Sequence, residues 1–409
     1  MNSLISQLLT QLRQAILHPI LRVLPQFLGV AVPIVKARKR SSQFISPTGG
    51  KACDRKRITI NRGVSRAIKF SMLGILTAIF ITACSGNVSN NRTSTEVTQS
   101  SVGDCQVIKH KAGETQVCTQ PQKVVVLGPH MLDILLSLDV QPAGFAEIEA
   151  LQRSDYNNPA EQISYLGSRV TSQPVNVGTR GEPSLELLVQ LKPDLILGEI
   201  GPNRDEYGLL SQIAPTLLFR GSGKDDWQQS IQVIAKVLGR SEKAQEVIEE
   251  YNQRLATART ELAPILAAHP QVLLLATMGL KEQIWVSDHK DYSGGLLEEL
   301  GFQLMSLPAK ANESTAVSLE VLPQLDSDLI FVRGWDSSPD NKTVNAADNP
   351  LKNLKQEWSS NAIAQTLNAS KEDRVYFVNY YLWSVLRGPI AAELILNELR
   401  QFLLSSSSI

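Results

Sequence analysis

The sequence of 409 residues lacks most of the signatures by which enzymes and nucleic-acid-binding proteins are recognised. It contains no Gly-x-Gly-x-x-Gly segment, no Walker phosphate loop and no Gly-x-Ser-x-Gly nucleophile elbow. Its 40 basic residues balance its 40 acidic residues, whereas a nucleic-acid-binding surface brings a basic excess. Only 5 histidines and 4 cysteines are present, and no histidine pair has His-Glu-x-x-His spacing. We therefore expect neither an enzyme nor a nucleic-acid-binding protein.

Charge is unevenly distributed along the chain despite the neutral total. Residues 1–69 are basic and nearly free of acidic residues, so the remainder is mildly acidic, as is common in exported domains. Residues 64–84 have the organisation of an export signal, because Arg66 and Lys69 precede a run of fourteen mostly apolar residues. That run is shorter than the ~20 residues that a transmembrane helix needs.

The export signal ends in a sequence that resembles the lipobox of bacterial lipoproteins, Ile-Thr-Ala followed by Cys84. Cys84 would then be lipidated and become the mature N-terminus. The alternative is an ordinary signal peptide in which Cys84 is incidental. A signal peptide belongs at the N-terminus, so we expect residues 1–63 to reflect a start codon placed too far upstream. An amphipathic membrane-associating extension is the alternative, and we assign this stretch no function.

Residues 85–120 are predicted to form a flexible tether followed by a hairpin. Residues 85–101 are rich in Ser, Asn and Thr, a composition typical of a flexible linker. Cys105 and Cys118 flank a turn-like stretch, so a hairpin would bring them opposite each other, and we expect a disulfide in an oxidising compartment. Two cysteines without a histidine partner are too few for a metal site.

From residue 121 onward, short apolar runs alternate with segments of helical periodicity. This pattern predicts an α/β fold with two doubly wound parallel-sheet lobes, residues 121–235 and 268–405. Between them, in residues 236–267, lies one long amphipathic helix near 241–263, with Ser241 as a candidate cap at its start. At ~1.5 Å per residue it would span ~30 Å, enough to join the lobes rigidly.

An internal repeat relates the two predicted lobes. Residues 184–196 align without gaps on residues 318–330, with nine of thirteen positions identical at an offset of 134. Glu186 and Glu320 thereby occupy equivalent positions, each two residues after a candidate capping serine. A single acid there would merely satisfy a helix dipole. A matched pair suits docking onto a symmetric partner with two equivalent basic sites.

Residues 121–399 resemble the periplasmic binding proteins for iron complexes and cobalamin, the class with a rigid interlobe helix. The resemblance is carried by residues 177–186 (Val-Gly-Thr-Arg-Gly-Glu-Pro-Ser-Leu-Glu), 191–197 and 387–389, and it is strongest to binders of ferric dicitrate and ferric hydroxamates. It implies the substrate-binding component of an ABC importer. Glu186 and Glu320 would then pair with arginines on the permease dimer.

Ligand contacts are expected between the lobes, in loops that follow the carboxyl ends of strands. Arginines suit the oxygens of an anionic ferric chelate, and aromatic rings suit its apolar backbone. The candidates are His130, Arg180, Arg220, Arg333, Trp335, Tyr381, Trp383 and Arg387. Trp383 and Arg387 would share one helix face. Arg220 could instead be a solvated loop residue and His130 a structural histidine, while Trp285 could pack or bind.

The resulting expectation is a lipid-anchored protein on the periplasmic face of the bacterial plasma membrane. It would use no cofactor, hold iron through the chelator, and work with a permease dimer and its cytoplasmic ATPase. One alternative is cobalamin or haem capture on the same fold, which the arginine-rich candidate set disfavours. The weaker alternative is direct binding of a divalent metal, which would require dispersed residues such as His130 and His289 to converge.

Overall fold

The computed structural model describes residues 105–118, 120–307, 315–334 and 350–404. The predicted extension 1–63, the signal 64–84 with Cys84, the tether up to residue 104, and Trp335 lie outside the described residues. The described strands are β1 (Gln106–His110), β2 (Gly113–Val117), β3 (Val124–Leu127), β4 (Gly144–Glu147), β5 (Val175–Thr179), β6 (Leu195–Glu199), β7 (Thr216–Phe219), β8 (Gln271–Thr277), β9 (Ile284–Val286), β10 (Gln303–Leu304), β11 (Thr315–Val317), β12 (Leu329–Gly334) and β13 (Val375–Asn379).

The described helices follow the same chain order. They are α1 (Pro129–Ser137), α2 (Pro159–Gln162), α3 (Leu185–Leu191), α4 (Ile200–Asn203), α5 (Tyr207–Ile213), α6 (Asp226–Leu238), α7 (Ser241–Glu261), α8 (Ala263–Ala268), α9 (Tyr292–Leu300), α10 (Pro350–Ser360), α11 (Asn368–Lys371) and α12 (Pro389–Leu404). Short 3-10 turns occur at Glu149–Leu151, Gly167–Arg169, Leu319–Leu325 and Ala364–Thr366, and a π-helical segment at Tyr381–Leu386.

The first lobe is built on a five-stranded parallel sheet with the order β5-β4-β3-β6-β7. Strands β3, β6 and β7 are buried along their whole length, which explains the apolar runs 124–127, 195–197 and 217–219 in the sequence. The strand order reverses between β3 and β6. The crevice outside the carboxyl ends of these two strands is where open α/β sheets bind ligands.

The second lobe has a sheet with the order β11-β9-β8-β12-β13, in which β8, β12 and β13 run parallel and β10 pairs with the start of β8. The predicted α/β class with two sheet-based lobes is confirmed. One strand departs from the parallel pattern, because β9 runs antiparallel to β8 and to β11. The exposed Trp285 between buried Ile284 and Val286 is the alternation expected of an antiparallel strand with one solvated face.

The thirteen-residue repeat, whose copies are 134 residues apart, corresponds to equivalent structure in the two lobes. Asp194 accepts hydrogen bonds from the amides that open β3, and Asp328 accepts one from Gln271 N, which opens β8. Asp194 directly precedes β6, which pairs with β3. Asp328 directly precedes β12, which pairs with β8. The copies differ in their helices, because Pro323 stands inside a 3-10 helix where the first copy has regular α3.

Helix α7 is the predicted connection between the lobes. It buries Ala244, Val247, Tyr251 and Leu255, which recur at three- and four-residue steps. Its start differs from the prediction, because Ser241 is the first helical residue and Arg240 precedes it without a side-chain cap. Among the described residues, no helix combines the length and apolar character that crossing a membrane requires.

The last helix ties the two lobes together. Helix α12 packs against both α7 and α1, and one apolar cluster extends from the first sheet through these helices to the second sheet. The buried Asp133 of α1 accepts hydrogen bonds from Ile390 N and Ala391 N at the start of α12. Because the lobes share a core and Asp133 of α1 is hydrogen-bonded to the start of α12, we expect small rocking motions of the lobes rather than wide opening.

The predicted hairpin is formed by β1 and β2, and Cys105 and Cys118 are joined by a disulfide at its open end. The hairpin lies against the edge of the first sheet, where Lys111 N donates to Leu218 O at 2.9 Å. Leu218 N in turn donates to His110 Nδ1 at 3.2 Å. These bonds satisfy backbone groups of β7 that would otherwise be an exposed sheet edge.

Candidate functional site

The carboxyl ends of the two sheets meet in one crevice. Tyr381 Oη, in the segment after β13, donates to Glu147 Oε1 and Oε2 at the end of β4, at 3.1 and 2.9 Å. Arg387 Nη2 lies 2.6 Å from Glu199 Oε2 at the end of β6. Residues that follow strands in one lobe therefore contact residues that end strands in the other.

Three side chains gather at the switch point between β3 and β6. His130 lies in the first turn of α1, three residues after β3, and its buried Nδ1 donates to Leu386 O at 3.1 Å. Arg180 follows β5, and its Nη1 lies 3.7 Å from Glu199 Oε1. The aliphatic part of the Arg180 side chain passes close to Gly128, where φ is +120° and a Cβ would lie 2.8 Å from Arg180 Cδ. Glycine is therefore required at this turn, both because the positive φ disfavours other residues and because a Cβ would collide with the Arg180 side chain.

Burial and charge set the protonation states in the crevice. Burial lowers the pKa of His130 to about 4, so its ring is neutral at physiological pH. Burial opposes ionisation of Glu199, but the facing charge of Arg387, with a smaller contribution from Arg180, outweighs it and lowers the pKa of that carboxyl. For Glu147, burial outweighs the hydrogen bonds from Ile148 N and Tyr381 and the charges of Arg180 and Arg153, and it raises the pKa to about 7.

Glu147 makes a pH-dependent contribution to stability that can be measured. In the native state the carboxyl of Glu147 keeps its proton up to about pH 7, whereas in the unfolded chain it loses the proton near pH 4.5. The free energy of unfolding therefore falls as the pH rises from about 4.5 to about 7. We expect Glu147→Gln to raise the free energy of unfolding near pH 8 by roughly 1–3 kcal/mol and to have little effect near pH 5. Thermal unfolding of the exposed Glu149→Gln variant is the control. A difference that is constant across this pH range would contradict the assignment.

A pocket of about 460 Å³ opens in the second lobe beside the carboxyl end of β8. Its size falls within the range of small-molecule sites. Trp285 and Met278 are 42% and 58% exposed, unusually open for large apolar side chains. The lining residues are Ala276, Thr277, Met278, Glu282, Gln283, Trp285 and Tyr380. This pocket was not predicted from the sequence. The alternation of apolar and exposed positions around Trp285 could have indicated an exposed aromatic side chain there.

The structure brings together four of the predicted contact residues. His130, Arg180, Tyr381 and Arg387 all lie at the crevice and contact residues of the opposite lobe or of the Glu199 cluster. Arg220 follows β7 and is exposed. Tyr381 is almost fully buried and stacks on Tyr165, so it forms part of the crevice wall. Its hydroxyl is already engaged with Glu147.

Arg333 and Trp383 have structural surroundings that the sequence did not suggest. Arg333 is buried, and its Nη1 donates to both oxygens of Asp291 at 3.1 Å, while its other donors reach Leu275 O and Ser287. Trp383 is fully buried, and its Nε1 donates to Glu398 at 2.7 Å. The segment from Tyr381 is π-helical and ends before Arg387, so the predicted shared helix face does not form. We leave both residues out of the proposed contact set.

The two repeat glutamates are exposed on the protein surface. Glu186 lies in the first turn of α3, where Ser184 Oγ accepts a hydrogen bond from Leu187 N. A hydrogen bond from the Ser318 side chain lowers the pKa of Glu320. Both carboxylates are therefore available to a partner. Within the described ranges, no group of three or more His, Cys, Asp or Glu side chains is arranged to hold a metal ion.

Comparison with known proteins gives consistent matches. The profile of a family described as periplasmic binding protein matches residues 124–381. The Fe(3+)-citrate-binding protein YfmC of Bacillus subtilis is 29% identical over 322 residues, covering 78% of this chain and 91% of the relative. The Fe(3+) dicitrate-binding periplasmic protein FecB of Escherichia coli is 26% identical over 276 residues, covering 67% and 82%. The probable siderophore-binding lipoprotein YfiY of Bacillus subtilis is 24% identical over 353 residues, covering 84% and 100%.

Solved structures show the same fold. Staphylococcus aureus SirA complexed with staphyloferrin B superposes with a TM-score of 0.59 at 24% identity, covering 73% of this chain and 98% of that chain. Bacillus subtilis FeuA complexed with ferri-bacillibactin gives a TM-score of 0.58 at 20% identity, with the same coverage. At these identities the likeness establishes architecture, and the ligand has to be argued from the crevice itself.

Proposed function

The chain belongs to the periplasmic binding protein family, and we propose that it captures an anionic ferric chelate outside the plasma membrane for delivery to an ABC importer. Membership of this family also means that the protein binds its ligand rather than converting it. The observation that carries the proposal is the convergence of Arg180 and Arg387, from different lobes, at the switch point of the first sheet. Ferric citrate and related carboxylate or hydroxamate chelates are the ligand class.

The crevice and the pocket beside β8 supply the two kinds of surface that such a chelate needs. Guanidinium groups donate charge-assisted hydrogen bonds to carboxylate or hydroxamate oxygens. The pocket beside β8 offers exposed Trp285 and Met278 for the apolar part of the chelator. Iron would reach the protein already coordinated, so protein ligands to the metal are not needed. A large neutral corrin ring would leave the net positive charge of Arg180, Arg387 and Glu199 without an anionic partner.

Docking on the permease is proposed to use Glu186 and Glu320. Both carboxylates are exposed, and they lie at equivalent positions of the repeat in the two lobes. One chain would thus present two similar acids to the two halves of a dimeric permease. The cytoplasmic ATPase completes the importer. Anchoring through a lipid on Cys84 is also a proposal, supported by the lipobox-like sequence and by a relative described as a lipoprotein.

Trp285 allows the proposed ligand class to be tested by fluorescence. We expect ferric citrate and a ferric hydroxamate to change the intrinsic tryptophan emission of the full chain in detergent solution, because Trp285 is an exposed tryptophan in the pocket. Trp285→Phe should lose most of this signal while calorimetry still detects binding. Cobalamin and haem complete the panel. A response confined to either of them would overturn the iron assignment.

A further inference from the structure

Glu199 is an acid in the middle of the proposed binding site. It ends β6 with a side chain that is 5% exposed, and its Oε2 accepts a hydrogen bond from Arg387 Nη2 at 2.6 Å. Its other oxygen, Oε1, lies 3.7 Å from Arg180 Nη1. One carboxylate therefore faces both of the arginines that we propose as anchors for the ligand, and these arginines come from different lobes.

The backbone around Glu199 is shaped to fit this cluster. Asn203 Oδ1 accepts a hydrogen bond from Glu199 N at 3.1 Å and so fixes the end of β6. A Cβ on Gly221 would lie 2.6 Å from Glu199 Oε2 and 2.7 Å from His130 Cδ2. A side chain at residue 221 would therefore displace the carboxylate or the imidazole, so glycine there keeps the acid in place.

The cluster retains unused hydrogen-bonding capacity. Among the described residues, His130 Nε2, Arg180 Nε and Glu199 Oε1 are buried atoms without a hydrogen-bond partner. Since His130 Nδ1 donates to Leu386 O, Nε2 carries the lone pair of the neutral ring. Buried polar atoms usually have partners, because leaving one unpaired costs about 1–3 kcal/mol. Three of them in one cluster indicate a site built to receive polar ligand atoms.

We infer that Glu199 sets the charge selectivity of the crevice. In the absence of ligand it pairs with Arg180 and Arg387, and on binding the anionic oxygens of the chelate accept the hydrogen bonds of these two arginines instead. This inference rests on the proposed function and extends it. Two guanidinium groups and one carboxylate sum to a single positive charge, which balances only one anionic charge of a chelate, and the carboxylate of Glu199 repels every anionic oxygen placed beside it. A neutral chelate meets no such repulsion. The residue therefore weakens binding of highly charged chelates relative to neutral ones.

The test compares two probes of different charge on the full chain and on Glu199→Gln, using calorimetry. Ferric citrate is the anionic probe, and a neutral ferric trihydroxamate of the ferrichrome type is the other. Removing the repelling charge should tighten ferric citrate binding on the order of tenfold or more, since like charges in contact are strongly unfavourable. Binding of the neutral probe should change by less than about twofold, so the ratio of the two affinities rises by roughly tenfold.

Two further variants separate charge from packing. Glu398→Gln removes another partly buried acid, one that accepts a hydrogen bond from Trp383 and lies outside the Glu199 cluster, and it should leave the affinity ratio unchanged. Glu199→Asp keeps the charge and should preserve the ratio of the unaltered chain within about twofold. If Glu199→Gln does not fold, Glu199→Asp is the deciding variant. A tenfold change in the ratio of the two chelate affinities in this variant, which retains the charge, would contradict the inference.

The experiment distinguishes failure of the proposed role of Glu199 from failure of the proposed function. An unaltered ratio in a folded Glu199→Gln variant, or an equal loss of affinity for both probes, would show that Glu199 only supports the structure. The proposed function would survive either result. If the unaltered chain binds neither probe, the proposed function and the role of Glu199 fail together.

Discussion

Replacing Glu186 and Glu320 together with alanine is expected to abolish import of the ferric chelate while leaving its affinity for the isolated protein unchanged. Both acids are exposed, and neither pairs with the arginines of the Glu199 cluster or lines the pocket beside β8, so their loss should not disturb the ligand. Close charge pairs at protein interfaces contribute ~1.5–7 kcal/mol each in favourable cases. Removal of two such pairs should reduce the uptake rate by more than about tenfold.

Uptake of radioactive iron supplied as the chelate, in cells that depend on this protein, is the measurement. The matched control replaces Glu161 and Glu298 with alanine, which removes one exposed acid from each lobe outside the repeat. The single variants Glu186→Ala and Glu320→Ala should show intermediate uptake if both lobes dock. Normal uptake by the double variant, or a parallel loss of chelate affinity, would remove the glutamates from a docking role.

Arg180→Gln and Arg387→Gln are each expected to weaken binding of ferric citrate by about 1–3 kcal/mol, which is roughly 5- to 150-fold. Glutamine keeps most of the side-chain length but removes the charge that an anionic chelate would engage. Titration calorimetry of the full chain measures the effect. Arg240→Gln, an exposed arginine before α7 and outside the crevice, is the control.

Arg387 needs a second readout because its removal also takes a partner from the buried Glu199. Leaving a buried acid without its partner costs stability. Thermal unfolding should therefore show a lower stability for Arg387→Gln than for Arg180→Gln, whose guanidinium is 3.7 Å from the same carboxyl group. Unchanged chelate affinity in both folded variants would mean that the ligand binds elsewhere.

Much of the fold could be predicted because it depends on local patterns. The four-residue apolar run of β3 and the three- and four-residue spacing of α7 each reflect burial of that element alone. The repeat added non-local information, because equivalent residues such as Asp194 and Asp328 must have equivalent neighbours. The antiparallel β9 was missed, since its three residues are too short for a periodicity to be recognised.

The site was harder to predict because position at a strand end does not specify where a side chain points. Arg333 occupies such a position, yet it turns into the second lobe toward Asp291, which is 42 residues away in the chain. Trp383 likewise joins the core against Phe331. Glu147 and Glu199 were overlooked for a different reason. They end apolar strands, and only basic and aromatic residues were considered there, although the same strand-end rule would have found both acids.

The central claim is that this chain binds iron as a chelate, and equilibrium dialysis of the full chain with radioactive iron tests it most directly. Iron would be supplied as ferric citrate, as a ferric hydroxamate, and without a chelator, with unlabelled cobalamin and haem as competitors. We expect one ferric chelate per chain, dependence of retained iron on the chelator, and no displacement by cobalamin or haem. Iron retained equally well without a chelator, or a chain that retains no ferric chelate and binds only cobalamin or haem, would contradict the account.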